Sequence, residues 1–162
     1  MLEKGAEVNT VVGTGLNAID IAKWFVAWAE ESEDADLTPL KLQKLLYYAK
    51  GVFMNNSGGL TLFPDHMQAW AHGPVVPSVY HQLKRYGKSP IDADEFVGDD
   101  FDWGNYSEVE NSLVETWQKY AVYSAWALRN KTHRESPWTK NFNAGENGEI
   151  TGAGLQEFCC QE

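Results

Sequence analysis

The chain has 162 residues, a formal charge of −10, and 43% apolar and 13% aromatic residues. That length suits one domain whose core needs no staples, while the acidic balance argues against a nucleic-acid partner, whose phosphates it would repel, and favours a basic protein partner. No apolar run approaches the ~18 residues of a membrane span and no basic-then-apolar leader opens the chain, so the expectation is a cytoplasmic protein with no membrane contact.

Residues 1–16 contain Gly, Thr and Val without a period and read as a flexible leader, with residues 17–160 as a single domain. Gly13-Thr14-Gly15 is half of a dinucleotide fingerprint, but no strand–turn–helix surrounds it, so no nucleotide is expected there. Asn17 is placed to cap a first helix, in which Ile21, Ala22, Phe25, Trp28 and Ala29 recur at helical spacing to about Glu33. Thr38-Pro39 then signals a second start, a capping hydroxyl followed by proline at the first helical position. Leu42, Leu45, Leu46, Ala49 and Phe53 form the apolar stripe of that helix. Lys41, Lys44 and Tyr48 lie on its other side, the lysines either as a solvated face or as pins for the acidic loops or the turn that follows.

Asn55-Asn56-Ser57-Gly58-Gly59 ends the pattern, and Leu60 to Phe63 and Met67 to Trp70 read as a hairpin around Pro64-Asp65. Gln68 to Ser78 begins like a strand, passes a Gly-Pro turn and reaches a third helix at Pro77, with Val79, Tyr80, Leu83 and Tyr86 in register and Gly87 as the stop. Residues 88–106 read as an irregular acidic connection, and Ser107-Glu108-Val109-Glu110 as a capping box for a fourth helix carrying Leu113, Trp117 and Tyr120. Residues 121–131 read as a further helix with Val122, Ala125 and Trp126 inward, and Ile150 to Cys160 as a last short one. The expected fold is thus mainly α (α+β), a compact helical domain with a small β-hairpin.

Acids cluster in two groups, Glu30 to Asp36 and Asp92 to Asp102, read as solvated loops or as an electrostatic rim for a cationic partner. Catalytic patterns are weak. Ser78 with His81, or Cys160 with His133, could pair as nucleophile and base, but neither stands in a Gly-x-Ser-x-Gly context, and Ser78 sits where a helix cap belongs. His66, His72, His81, His133, Cys159 and Cys160 lack the paired spacing of a zinc site, and Asp100 to Gly104 lacks the remaining ligands of a calcium loop. The adjacent cysteines read as reduced thiols. No enzyme activity, cofactor or metal is expected. His133 reads as part of a structural lock, with Thr132 capping a turn that Pro137-Trp138 closes.

Three stretches together resemble a known family. Leu37-Thr38-Pro39-Leu40-Lys41-Leu42-Gln43-Lys44-Leu45-Leu46-Tyr47-Tyr48-Ala49, then Ala69-Trp70-Ala71-His72-Gly73-Pro74-Val75-Val76-Pro77-Ser78-Val79-Tyr80, then Thr132-His133 with Ser136-Pro137-Trp138, are similar to the signatures of the Panacea domain, also described as SocA-like or GepA-like and phage-associated. His72 stands where a Tyr is common in that family. The resemblance spans about residues 17–158 and implies an antitoxin that neutralises a cognate toxin by direct protein–protein binding. The alternatives it implies are a proteolytic adaptor that hands a toxin to a Clp protease, or a prophage-encoded modulator of a host protein. The partner-binding groove is expected to be lined by Lys41, Lys44, Tyr48, Trp70, His72, Pro74, Val75 and Tyr80, with Trp70 and Tyr80 leading because hot spots are few and often aromatic.

Overall fold

The computed structural model describes residues 14–33, 37–143 and 146–159. Residues 1–13 of the expected leader, Asp34 and Asp36 of the first acidic group, and Cys160 lie outside the described residues. Thr14 is tied to the body: its hydroxyl donates to the Leu62 carbonyl at 3.0 Å.

The first helix, α1 (Ala18–Glu31), starts where Asn17 accepts from the Asp20 N–H and Asp20 accepts in return from the Asn17 N–H. The second, α2 (Pro39–Ser57), starts on Thr38 and Pro39 as expected and ends at Gly58 in the left-handed region, φ 76°. Every residue from Lys41 to Gly51 is buried, so α2 has no solvated face over that stretch. It is the axle of the fold, packed against α1, α3 (Pro77–Leu83), α5 (Glu110–Tyr120), α6 (Ala125–Thr132) and α8 (Gly152–Cys159). Leu42, Leu45 and Leu46 are fully buried on it, each contributing about 2 kcal/mol. Gly51 marks the closest approach of α8: a Cβ there would sit 2.5 Å from Cys159 Sγ.

The hairpin forms one step later in the chain than the apolar runs suggest. Strand β1 (Gln68–Trp70) pairs antiparallel with β2 (Gly73–Val75) around Ala71-His72, in the register Gln68 to Val75 and Trp70 to Gly73. Leu60 to Phe63 is not a strand. Leu62 and Phe63 are buried as a plug, and the Thr61 hydroxyl takes the Phe63 carbonyl locally. The far edge of β1 is covered by residues 148–150, with Ala69 N–H donating to Gly148 and Ile150 N–H to Met67, both at 2.8 Å.

Four further expectations change. The acidic connection contains a short helix, α4 (Ala93–Val97), capped by Asp92, and a 3-10 turn over 103–106 capped by Asp102, so some of its acids hold backbone N–H groups. No capping box starts α5, because Ser107 to Val109 continue that turn and Val109 caps without a side-chain bond. Ser78 does not cap α3; it lies one residue inside Pro77 and its hydroxyl donates to Asp65 at 2.7 Å. Residues 121–131 are not one helix. Ser124 caps a new start for α6, whose buried side chains are Leu128 and Thr132, while Val122 is 78% and Trp126 55% exposed. The chain closes with α7 (Ser136–Thr139), a two-residue hairpin β3 (Phe142–Asn143) with β4 (Glu146–Asn147), and α8.

Candidate partner-binding surface

The three signature stretches meet at the backbone of one small hairpin. Gln43 supplies α2's first contact: its Oε1 accepts from the Val76 N–H at 2.8 Å and its Nε2 donates to the Val76 carbonyl at 3.3 Å. The side chain thus does for Val76 what a third strand would do. One residue on, Lys44 is fully buried and its Nζ donates to the Pro74 carbonyl at 2.9 Å. Burial, aided by the charge of Arg129, lowers its pKa to about 7. Gly73 is what lets the lysine pass. Its φ is +110°, and a Cβ would stand 2.6 Å from Lys44 Cε and 2.9 Å from Thr132 Oγ1.

From the C-terminal side, Trp138 Nε1 donates to the Trp70 carbonyl at 2.7 Å. The His133 ring stacks on Trp138 at 3.9 Å and is hydrogen-bonded to the backbone of Ala71. Burial and the nearby Arg129 charge outweigh that bond and hold its pKa below the usual histidine value. Phe142 extends the stack beyond Trp138 at 4.6 Å. This is the lock expected around His133, although the Thr132 hydroxyl turns back to the Arg129 carbonyl instead of capping the next turn.

A second knot lies beneath. Tyr47 and Tyr48 donate their hydroxyls to the buried Glu135 carboxylate at 3.0–3.1 Å, and Lys131 closes on it at 3.2 Å. Burial and Glu135 together push both tyrosine hydroxyls well above their ordinary pKa. A cleft of about 280 Å³ opens here between α2, α5 and α8, lined also by Tyr120, Lys119 and Phe158. Glu135 is already engaged by three side chains, so it works as a strut joining the third signature to the first. Lys41 is a strut of the same kind, its Nζ donating to the Ala121 carbonyl at 2.7 Å and fixing the α5–α6 connection.

Of the eight residues expected in the groove, Lys41, Lys44, Tyr48, Pro74 and Val75 are therefore interior. Trp70, His72 and Tyr80 reach the surface: Trp70 is half-buried against the Tyr80 ring at 5.0 Å, and Tyr80 and His72 are exposed. Around them stand side chains that the sequence reading passed over or turned inward. Trp126 lies 5.9 Å from His72, Arg129 rests over the Trp126 ring at 4.4 Å, and Val122 and Tyr123 (46% exposed) precede them in the α5–α6 connection. The sequence signal for this patch was the Ser124 start, which sets α6 in a register that turns Trp126 outward.

Among the described residues, no group of three or more His, Cys, Asp or Glu is arranged to hold a metal ion, and no helix is long and apolar enough to cross a membrane. No curated protein and no solved structure matches the chain. The family described as antitoxin SocA-like, Panacea domain, matches residues 42–139, a span that runs from the α2 struts through the hairpin to Trp138. With more than half of its length inside that match, the chain belongs to the SocA-like antitoxin family built on the Panacea domain.

Proposed function

We propose that the chain is the antitoxin of a cytoplasmic toxin–antitoxin pair and neutralises its cognate toxin by holding it in a direct protein–protein complex. The contact surface is the hairpin face and the start of α6: Trp70, His72 and Tyr80 from the second signature, with Trp126 and Tyr123 beside them. Lys41, Lys44, Tyr48, Pro74 and Val75 serve it from below as supports. The observation that carries the reading is the set of large aromatic side chains left in solvent around a hairpin whose backbone is held by all three signatures. Solvent-exposed aromatics on a rigid support supply interface anchors at small entropic cost.

The test is co-expression with the product of the adjacent reading frame. Wild type should relieve growth inhibition and co-purify with that product, and Trp126→Ala should weaken both by at least tenfold in affinity. Relief of growth inhibition without a complex overturns direct binding. Faster loss of the toxin only in cells that contain the Clp protease would transfer the chain to the adaptor role.

A further inference from the structure

Arg129 pairs with no carboxylate among the described residues, and it is set apart from the other unpaired cations by lying over an exposed tryptophan, Trp126, beside His72. Four other surface cations find acids: Arg85 meets Glu95, Lys119 meets Glu115, Lys131 meets Glu135 and Lys140 meets Glu157. Arg129 instead donates Nε to His72 Nδ1 at 3.4 Å and one Nη to Asn130 Oδ1 at 2.9 Å, and the other Nη makes no hydrogen bond among the described residues. Its plane is held over Trp126 at 4.4 Å, so the fork is already oriented. With Nδ1 facing the Arg129 N–H, the other ring nitrogen of the exposed His72 is left to face a ligand. Lys44 and His133 lie close enough to feel the Arg129 charge, so basic groups gather here although the chain carries −10 overall.

We propose that Arg129, His72 and Trp126 form a notch that receives an acidic side chain of the partner protein, flanked by an apolar residue that packs on Val122 and Tyr123. This rests on the reading of the chain as a toxin-binding antitoxin and adds the chemistry of the contact. Charge complementarity selects the occupant: a planar carboxylate fits the free edge of a guanidinium fork, and a carboxylate next to a nonpolar side chain matches a cation held over Trp126, with Val122 and Tyr123 exposed four and three residues before that ring. A basic partner, which the net charge alone favours, would meet repulsion at this one spot.

The experiment is titration calorimetry of purified wild type and variants against the product of the adjacent reading frame. Arg129→Glu should weaken binding about 30-fold or more, Arg129→Gln less, and Arg129→Lys least, because lysine keeps the charge and loses the fork. Thermal unfolding of each variant checks that the fold is kept, and Arg129→Gln introduces no new charge if Arg129→Glu fails to fold. Each exposed Asp and Glu of the partner is then changed to Arg against Arg129→Glu; one such swap should restore at least tenfold in affinity. Wild-type affinity in both Arg129→Glu and Arg129→Gln, or restoration by none of the swaps, overturns the notch while leaving the complex intact. No binding by wild type overturns the antitoxin–toxin contact itself, and the notch with it. Preferential capture of a short single-stranded oligonucleotide, lost in Arg129→Gln, would assign the surface to nucleic acid and also overturn it.

Discussion

Gln43 satisfies both backbone groups of Val76 from a position inside α2, where an apolar side chain would otherwise be the obvious occupant. The amide is suited to this because it carries a donor and an acceptor on one planar group, matching a peptide edge. Gln43→Leu keeps most of the volume but leaves the buried Val76 N–H unpaired, while the Val76 carbonyl keeps the N–H groups of Val79 and Tyr80, both at 3.0 Å. At about 1–3 kcal/mol for one orphaned buried group, the variant should lose about 1–3 kcal/mol of unfolding free energy in urea titrations. A loss below about 1 kcal/mol would mean that Val76 finds other partners and that the side chain is not the strand substitute described above. Lys44 makes the comparable bond to Pro74 at greater cost, since an ammonium must be desolvated to make it.

At the scale of elements, two tryptophans of neighbouring helices separate support from contact. Trp138 in α7 joins His133, Phe142 and the Trp70 carbonyl, so Trp138→Ala should cost about 3 kcal/mol and lower the melting temperature sharply. Trp126 in α6 projects into solvent, so Trp126→Ala should stay within about 0.5 kcal/mol of wild type. Thermal melts of the two variants side by side check this, and equal losses would contradict the division. The same contrast explains what was legible in the chain. Asn17 and Thr38-Pro39 announced their helices because caps are local chemistry, complete within four residues. Val122 and Trp126, four apart, make one buried stripe only if residues 121–131 form a continuous helix. The Ser124 cap begins a new helix, and the stripe becomes Leu128 with Thr132. Leu60 to Phe63 has the apolarity of a strand, but Met67 and Ala69 find their neighbours at Ile150 and Gly148, a pairing across the chain that no local pattern records. Of the residues expected in the groove, Lys44 and those of the second signature lie at or beside the hairpin, while Lys41 and Tyr48 bond elsewhere, to Ala121 and Glu135. Their split into struts and surface depends on α2 being buried on every side from Lys41 to Gly51, which its own periodicity does not reveal.

For the whole molecule, the buried ionisable groups set how stability follows pH. Lys44 titrates near 7 in the folded chain and near 10.5 when unfolded, so between those values the unfolded chain binds more protons and stability must rise with pH. Lys50, lowered mainly by burial, acts in the same direction. Above pH 10 the balance reverses. Tyr47, Tyr48 and Tyr106, the last pushed up to about 12 by burial and Asp20, keep their protons in the fold while their unfolded counterparts lose them. Stability should therefore climb from pH 7, peak near pH 10 and fall beyond it, a more alkaline optimum than the common range of pH 5–8. At 1.36 kcal/mol per unit, the rise between pH 7 and 9.5 should amount to about 2–3 kcal/mol in urea unfolding. Lys44→Met, which keeps an unbranched chain of similar length in the same channel beside Gly73, should remove most of that slope while the alkaline fall remains. A wild-type curve that is flat from pH 7 to 9.5, or a slope that survives Lys44→Met, would show that the ammonium reaches water or that another group carries the linkage. Either result would also loosen the account of the hairpin, because the bond from Lys44 to the Pro74 carbonyl is made inside the same dry channel whose desolvation shifts the lysine.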